Sequence, residues 1–461
     1  MDNSGIYVGL DIGTTSIKVI IAESVQGQLN IIGVGSDRSK GMNRGVVVDI
    51  DQVAAAIQNA VHQAEQKANV SISDVYAGIP ANMLSIEPCQ GMIAVSDESK
   101  EITDQDVRNV AAAALIRNLP PEREIIDLVP DEFIVDGFDG IKDPRGMIGV
   151  RLEMHGIVFT SPKTVIHNIK KSIAKAGLNL KSLIVEPLAL GKVALTDGEQ
   201  DFGTILIDLG GGQSTAAVIH DHKLKFTQVD QEGGEYITKD ISVVLNTSFG
   251  NAEKLKRDYG NANTDVTSET EEFPVETVGQ TDAVLVSEHY LSEIIEARAE
   301  QILTRLGTAL DRVKAFDLPG GIVITGGVTA LPGIADLVAE MYDRSVKLYI
   351  PDQMGLRHPS FAQAFGLVTY VSRLSEVDRL VHTPISSATA DYVSSTRTTQ
   401  TTTTATNQTV KKAKPADHTM KDDLTPNETA TQQNADATAK PKKEKKKRGE
   451  SIRSFLNNFF E

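Results

Sequence analysis

The stretch Val8-Gly-Leu-Asp11-Ile-Gly13-Thr14-Thr15 decides the fold: an apolar run passes through Asp-x-Gly into hydroxyl residues, and a second apolar run follows at 17–22. The same order returns in the second half of the chain as Ile205-Leu-Ile-Asp208-Leu-Gly210-Gly211-Gly212-Gln-Ser214-Thr215, again followed by an apolar run. Glycine permits turn conformations that other residues avoid. Each stretch therefore predicts a strand, a tight turn and a returning strand.

The two turns carry groups that suit a nucleotide. Turn amides and hydroxyls donate to phosphate oxygens, and the strand-end carboxylates of Asp11 and Asp208 suit a magnesium ion or its waters. A single Asp-x-Gly after a strand is usually only a turn. Two copies with the same hydroxyls and returning strand indicate instead two related halves that hold a nucleotide triphosphate between them.

A third glycine-rich segment fits the same site. Residues 320–333 read Gly-Gly-Ile-Val-Ile-Thr-Gly-Gly-Val-Thr-Ala-Leu-Pro-Gly, a buried strand that ends in the pair Gly326 and Gly327. Because glycine lets the backbone approach a flat ligand closely, we expect this pair to lie against an adenine ring.

Composition excludes several other functions. The chain has 461 residues, a net charge of −16, one cysteine (Cys89) and no tryptophan. The length suits two or more domains, and the acidity argues against nucleic-acid binding. We find neither a basic and apolar leader nor an apolar run near the roughly 20 residues that span a bilayer. We therefore expect a protein of the reducing cytoplasm.

Strands alternate with helices along the first 375 or so residues, which predicts an α/β architecture with helices on the sheet faces. Apolar positions recur at helical spacing over 50–68 and 287–313. We predict the final helix of this region at 360–374. A polar stretch, 261–282, interrupts an otherwise largely helical region.

The C-terminal part differs in composition. Residues 383–449 are rich in Thr, Ala, Asn, Gln, Asp and Lys and predict a disordered linker, which becomes strongly basic at 440–448. In 450–461 the apolar side chains fall at helical spacing on one stripe, and we expect them, with Arg453, to contact an anionic membrane; they are Ile452, Phe455, Leu456, Phe459 and Phe460. The alternative is an apolar groove on a partner protein.

The glycine motifs resemble the phosphate-1, phosphate-2 and adenosine motifs of the actin, Hsp70 and sugar-kinase superfamily. From about residue 5 to 375, and again at its end, the chain is similar to the FtsA family of bacterial actin homologues. The more specific signatures are Asp143-Pro-Arg-Gly-Met-Ile-Gly-Val-Arg-Leu-Glu153, Glu232-Gly-Gly-Glu-Tyr-Ile-Thr-Lys-Asp-Ile241 and Tyr290-Leu-Ser-Glu-Ile-Ile-Glu296.

The resemblance implies an actin-like (ribonuclease H-like), two-lobed fold with four subdomains, followed by the linker and the terminal amphipathic helix. Subdomain 1A would comprise 1–83, 164–200 and 350–380, and subdomain 1C would be 84–163. Subdomain 2A would comprise 203–230 and 315–349, and subdomain 2B would be 231–314.

The resemblance also implies the residues of an ATP site. Asp11 and Asp208 would coordinate Mg²⁺ through water, Glu253 and Lys256 would hold ribose and adenine, and Glu186 would orient the attacking water. The cofactor-binding residues would be Asp11, Gly13, Thr14, Thr15, Lys18, Asp208, Gly210, Gly211, Gly212, Glu253, Lys256, Gly326 and Gly327. The Glu253–Lys256 pair, at i and i+3, also has an ordinary structural explanation as a surface salt bridge. Glu186 at the start of its helix has one as well, because the helix dipole favours a negative charge there.

By the same resemblance, the chain would form filaments and tether the tubulin-like FtsZ ring to the cytoplasmic face of the membrane at the division septum, as a peripheral protein with at most weak ATPase activity. Subdomain 2B would receive the FtsZ C-terminal peptide, with Arg298 or Arg305 as contacts, and 1C would recruit other divisome proteins. The alternatives are a small-molecule kinase of the same superfamily and an actin-like pilus-assembly protein.

Overall fold

The computed structural model describes residues 5–95, 101–117, 119–280, 282–383 and 385. Apart from 383 and 385, the predicted linker 383–449 lies outside the described residues, and so does the predicted terminal helix 450–461. Both stay predictions.

The described residues contain strands and helices with the following bounds. The strands are β1 (Gly5–Ile12), β2 (Ser16–Val25), β3 (Gln28–Arg38), β4 (Met42–Asn43), β5 (Val46–Val47), β6 (Asp74–Ile79), β7 (Ser85–Ala94), β8 (Arg123–Val135), β9 (Phe138–Ile141), β10 (Arg151–Pro162), β11 (Asn179–Val185), β12 (Thr204–Leu209), β13 (Ser214–His220), β14 (Lys223–Asp230), β15 (Glu272–Val275), β16 (Val284–Ser287), β17 (Ile322–Thr325) and β18 (Val346–Leu348). The helices are α1 (Ile50–Ala68), α2 (Asp104–Ala114), α3 (Lys163–Lys175), α4 (Glu186–Ala194), α5 (Asp197–Phe202), α6 (Gly234–Val244), α7 (Phe249–Tyr259), α8 (Glu288–Arg312), α9 (Ile334–Tyr342) and α10 (Ala362–Ser372).

Two five-stranded sheets share one strand order. The first is β3-β2-β1-β6-β11 and the second is β14-β13-β12-β17-β18. In each sheet the first three strands pair antiparallel, and the remaining two continue it in parallel. In the first sheet the Asp-x-Gly stretch forms the central hairpin β1–β2, and in the second it forms the central hairpin β12–β13. This repetition confirms the predicted two-lobed α/β fold.

Side chains that alternate along the strands fill both faces of each sheet. On β2, Val19 and Ile21 belong to a core that includes α1, whereas Ile20 and Ala22 pack with α10. On β12, Leu206 shares the core of the first lobe, while Ile205 and Ile207 pack with α8. The second sheet therefore contributes to the cores of both lobes, which fixes the two hairpins relative to each other.

A third sheet, β7-β10-β8-β9, follows β6 in the chain and is covered by α2. We call the part formed by β7–β10 and α2 the inserted domain. Its core includes Leu128, Phe133 and Met154. Residues 376–383 are also helical, beyond the predicted final helix, and they pack on this core.

The polar stretch 261–282 contains a strand that the sequence analysis missed. Phe273 and Val275 on β15 are buried, and β15 pairs antiparallel with β16. Phe273-x-Val275 is an alternating pattern, but it is too short to stand out among polar neighbours.

Among the described helices, none is long and apolar enough to cross a bilayer.

Candidate functional site

The turns of the two central hairpins open into one cleft of about 1020 Å³. The cleft brings together every residue that the resemblance assigns to cofactor binding, and also Glu186. They are Asp11, Gly13, Thr14, Thr15, Lys18, Glu186, Asp208, Gly210, Gly211, Gly212, Glu253, Lys256, Gly326 and Gly327. Their contact with a nucleotide stays a prediction.

The two turns touch each other through glycine and threonine. A Cβ on Gly211 would lie 2.2 Å from Cγ2 of Thr15, and a Cβ on Gly212 would lie 2.3 Å from Cγ2 of Thr14. Any side chain at either glycine would push the turns apart. The glycines of the second turn are therefore needed for the approach of the first, in addition to the conformational freedom they give.

Carboxylates concentrate at the floor of the cleft. Asp11 and Lys18 face each other across the first hairpin, with Lys18 Nζ 3.3 Å from Asp11 Oδ2, and both are buried. Burial and the nearby Asp11 raise the pKa of Asp208 to about 6. Burial, followed by Asp11 and Asp208, raises the pKa of Glu186 well above its ordinary value. An added cation would relieve this excess of negative charge.

Glu186 begins α4 at the point where β11 ends, and Pro187 follows it in the first turn. Its side chain lies over Gly78 on β6, where a Cβ would come within 2.9 Å of Glu186 Oε1. The Gln363 amide donates to the Glu186 backbone carbonyl at 3.1 Å. The carboxyl is thereby held among the acids of the cleft.

The third glycine motif packs directly beneath the second hairpin. Gly326 has a φ of +99°, and a Cβ there would lie 2.2 Å from Asp208 Oδ1. Both its backbone conformation and the position of the Asp208 carboxylate therefore require glycine. Gly327 lines the cleft in a more open position, because a Cβ there would lie 3.8 Å from Cβ of Ser360, an ordinary contact distance.

Lys256 is more constrained than the sequence predicts. Its ammonium donates to the Gly234 carbonyl at 2.9 Å and the Thr238 hydroxyl at 2.7 Å, and it lies 2.7 Å from Glu253 Oε2. Burial lowers the pKa of Lys256. Burial acts to raise the pKa of Glu253, but Lys256 outweighs it and the net shift is downward. The Lys256 ammonium thus links α6 to α7 through these contacts. The aliphatic part of the Lys256 side chain is therefore the part that can lie beside a ligand.

Several cleft residues were not predicted. Arg38 at the end of β3, Gln213 in the second turn, Glu235 on α6 and His358 before α10 all line the cavity. Burial raises the pKa of Glu235, whereas burial and Lys18 lower the pKa of His358. Glu235 lies inside the signature 232–241, and its backbone N–H donates to the Gly211 carbonyl at 2.8 Å. That signature could have identified it, whereas Arg38 and His358 reach the cleft only through the tertiary fold.

The two arginines predicted to contact a partner lie in an ion-pair network on α8. Arg298 is buried and donates to Asp240 through two nitrogens, at 2.5 and 3.0 Å, and to Glu232 at 2.8 Å. Arg305 is about half exposed and lies 2.9 Å from Glu232. The burial of Arg298 opposes a role in contacting a partner peptide, because its guanidinium already binds carboxylates inside the lobe.

Within the described residues, no group of three or more His, Cys, Asp or Glu side chains is close enough to hold a metal ion directly. The predicted coordination of Mg²⁺ by Asp11 and Asp208 was through water, which needs no such cluster. Burial, and then the neighbouring carboxylates, raise the pKa of Asp208 and Glu186, and a cation held there would favour their charged forms.

Comparison with known proteins agrees with this geometry. Residues 205–366 match the family model described as Cell division protein FtsA, and residues 82–160 match the SHS2 domain inserted in FtsA. The cell division protein FtsA of Enterococcus faecalis is 61% identical over 377 residues, which cover 82% of this chain and 86% of the relative. The chain belongs to the FtsA family. It is thus an actin-like protein of bacterial cell division.

Solved structures agree on the fold. A chain of a PilM–PilN type IV pilus biogenesis complex aligns with a TM-score of 0.54 at 16% identity, over 80% of this chain and 99% of that one. MreB5 of Spiroplasma citri bound to ADP aligns with a TM-score of 0.50 at 12% identity, over 80% and 97%. At these identities the likeness concerns the actin-like architecture of FtsA proteins and not their ligands.

Proposed function

We propose that this FtsA-family chain binds Mg²⁺ and ATP in the cleft, polymerises in that state, and tethers the tubulin-like FtsZ ring to the cytoplasmic face of the membrane. The observation that carries the nucleotide part is the contact of Gly211 and Gly212 with Thr15 and Thr14. It brings two donor-rich turns to one cavity, where a triphosphate can accept hydrogen bonds from both lobes.

Each group of cleft residues has a role in this proposal. Thr14, Thr15 and the amides of the second turn bind phosphate oxygens, and Lys18 adds positive charge. Asp11 and Asp208 hold the waters of a magnesium ion, which neutralises phosphate charge when bound. Gly326 and Gly327 lie against the adenine.

Hydrolysis, if catalysed, would depend on Glu186. A carboxylate there can orient a water toward the γ-phosphate. Burial, followed by Asp11 and Asp208, raises the pKa of Glu186, and a magnesium ion bound nearby would lower it again and favour the carboxylate that this role needs. We propose a nucleotide-gated polymer with at most weak ATPase activity, as the resemblance implies.

Calorimetry with the full chain tests the nucleotide part. Mg²⁺ and ATP should bind with saturation, and Asp208→Asn should weaken binding at least tenfold. Asp221→Asn, on the exposed β13–β14 turn of the same sheet, is the matched control and should bind like the unaltered chain. No saturable heat from the unaltered chain at millimolar ligand would refute ATP binding.

The tethering part needs two further contacts. We propose that residues 450–461 bind an anionic membrane and that the FtsZ C-terminal peptide binds the 231–314 region, where half-exposed Arg305 is available and Arg298 is not. Phe455→Glu with Phe459→Glu should abolish flotation with anionic vesicles, because it places charge on the apolar stripe. Unchanged flotation would exclude this helix as the anchor.

A further inference from the structure

The signature that begins at Asp143 lies on the inserted domain, away from the cleft. Its Arg145 side chain reaches three carboxylates: Asp143 at 2.8 Å, Asp104 at the start of α2 at 3.3 Å, and Glu376 at 3.2 Å. The first two belong to the inserted domain, whereas Glu376 begins the helical segment 376–383. Arg145 therefore joins the inserted domain to a segment 231 residues later in the chain. We call this group the Arg145 clamp.

Segment 376–383 also completes the core of the inserted domain. Val377, Leu380 and Val381 are buried in the same cluster as side chains of α2, β8 and β10, and Val381 has no exposed surface. Ile385 packs against this cluster as well. Although the segment follows α10 in sequence, its apolar side belongs to the inserted domain.

A second polar contact fixes the far end of the segment. Nδ1 of His382 lies 2.8 Å from Oδ1 of Asp127 on β8, and both side chains are largely buried. The segment is thus held by the clamp at its first residue, by apolar packing in the middle and by the contact of His382 with Asp127.

The helical order of so short a segment depends on this docking. Ser375 and Asp378 cap its start through reciprocal hydrogen bonds of 3.1 Å. The described helical residues run from 376 to 383 and include 385, and a helix of about ten residues is marginal alone in water. The carboxylates of the clamp are about half exposed, so solvent and salt weaken those ion pairs. Undocking of the segment should therefore require less free energy than unfolding of the inserted domain.

We propose that segment 376–383 is a detachable part of the inserted domain, held by the Arg145 clamp, and that the C-terminal tail acts on the inserted domain through it. The second half of this statement rests on the proposed function, because it requires the tail to be held at a membrane. In sequence, residues 386–461 follow this segment, so a restraint on residues 450–461 is transmitted along the chain to the segment before it reaches the inserted domain.

Hydrogen exchange of the full chain without lipid tests the clamp. Arg145→Ala removes a half-exposed ion pair to Glu376 and should speed amide exchange in 376–383 about two- to fivefold. Val381→Ala should speed it more, through lost packing. Arg151→Ala is the matched control, because Arg151 forms an ion pair with Glu153 on the same sheet but does not reach the segment. Exchange in 376–383 that is the same in Arg145→Ala as in the unaltered chain would overturn the clamp, whatever Val381→Ala does.

Vesicles that contain phosphatidylglycerol test the coupling. They should change exchange in 101–117 and 143–150 of the unaltered chain, and less so in Arg145→Ala. If the chain floats with the vesicles but exchange there does not change, the coupling is overturned. If the chain does not float, the proposed anchor fails and the coupling fails with it, whereas the clamp is decided by the lipid-free experiment.

Discussion

At the scale of residues, the site depends on small side chains as much as on charged ones. Gly211, Gly212 and Gly326 each occupy a position where a Cβ would collide with Thr15, Thr14 or Asp208. The Asp-x-Gly pattern predicted the turns, but it could not predict which glycines allow the lobes to meet. For Gly211 and Gly212 that requirement arises between residues almost 200 positions apart, which no local pattern records.

Gly211→Ala should weaken ATP binding at least tenfold, about 1.4 kcal/mol, because the new methyl group would force the turns apart. The cost of overpacking, about 1–3 kcal/mol, is enough to account for this. Gly198→Ala on α5 introduces the same methyl group into open space and should leave affinity unchanged in the same titration. Equal affinities of the two variants would show that contact between the turns is not needed for binding.

A second residue-scale prediction concerns the buried pair of Arg298 and Asp240. Asp240→Ala leaves a buried guanidinium short of its bidentate partner and should lower the free energy of unfolding of the second lobe by about 3–5 kcal/mol. Arg305→Ala removes a half-exposed ion pair and should cost about 1 kcal/mol or less. Urea unfolding followed by circular dichroism compares the two. Similar small losses would contradict the structural role assigned to Arg298.

At the scale of elements, the sequence predicted the long amphipathic helices well because many apolar positions support each one. Helix α1 has the predicted bounds, and α8 begins after the capping residue Ser287. Two short elements were missed, β15 and segment 376–383. Segment 376–383 has a Ser375-x-x-Asp378 cap and apolar side chains at i, i+3 and i+4, but it lies beside a polar tail whose composition concealed it.

The pair of His382 and Asp127 predicts a pH dependence of the inserted domain. Burial alone would lower the pKa of His382, but Asp127 outweighs it and the pKa is raised. Asp378 acts in the same direction, and Tyr370, whose own pKa burial raises, is also near Asp127. The stabilisation is therefore complete below the unfolded value of about 6.5 and is lost as pH rises through the folded pKa.

Hydrogen exchange in 376–383 measured at pH 6 and pH 8.5, corrected for intrinsic rates, checks this. The unaltered chain should be better protected at pH 6, and His382→Gln should remove most of the difference. Protection that increases with pH would contradict the assigned direction.

At the scale of the whole molecule, the repeated sheet order is the feature that the sequence predicted most directly. Two copies of one motif implied two related lobes, and the sheets β3-β2-β1-β6-β11 and β14-β13-β12-β17-β18 have that relation. The attachment of the inserted domain to segment 376–383 was not predictable in the same way, because it depends on tertiary contacts with distant residues.

The central claim is that both lobes hold one nucleotide at the same time. Hydrogen exchange of the full chain with and without Mg²⁺ and ATP tests it most directly. We predict that amide exchange slows together in 11–16 and in 208–215, with half-maximal protection at the same ATP concentration. Protection of one turn alone, or of neither at saturating ATP, would contradict a shared site.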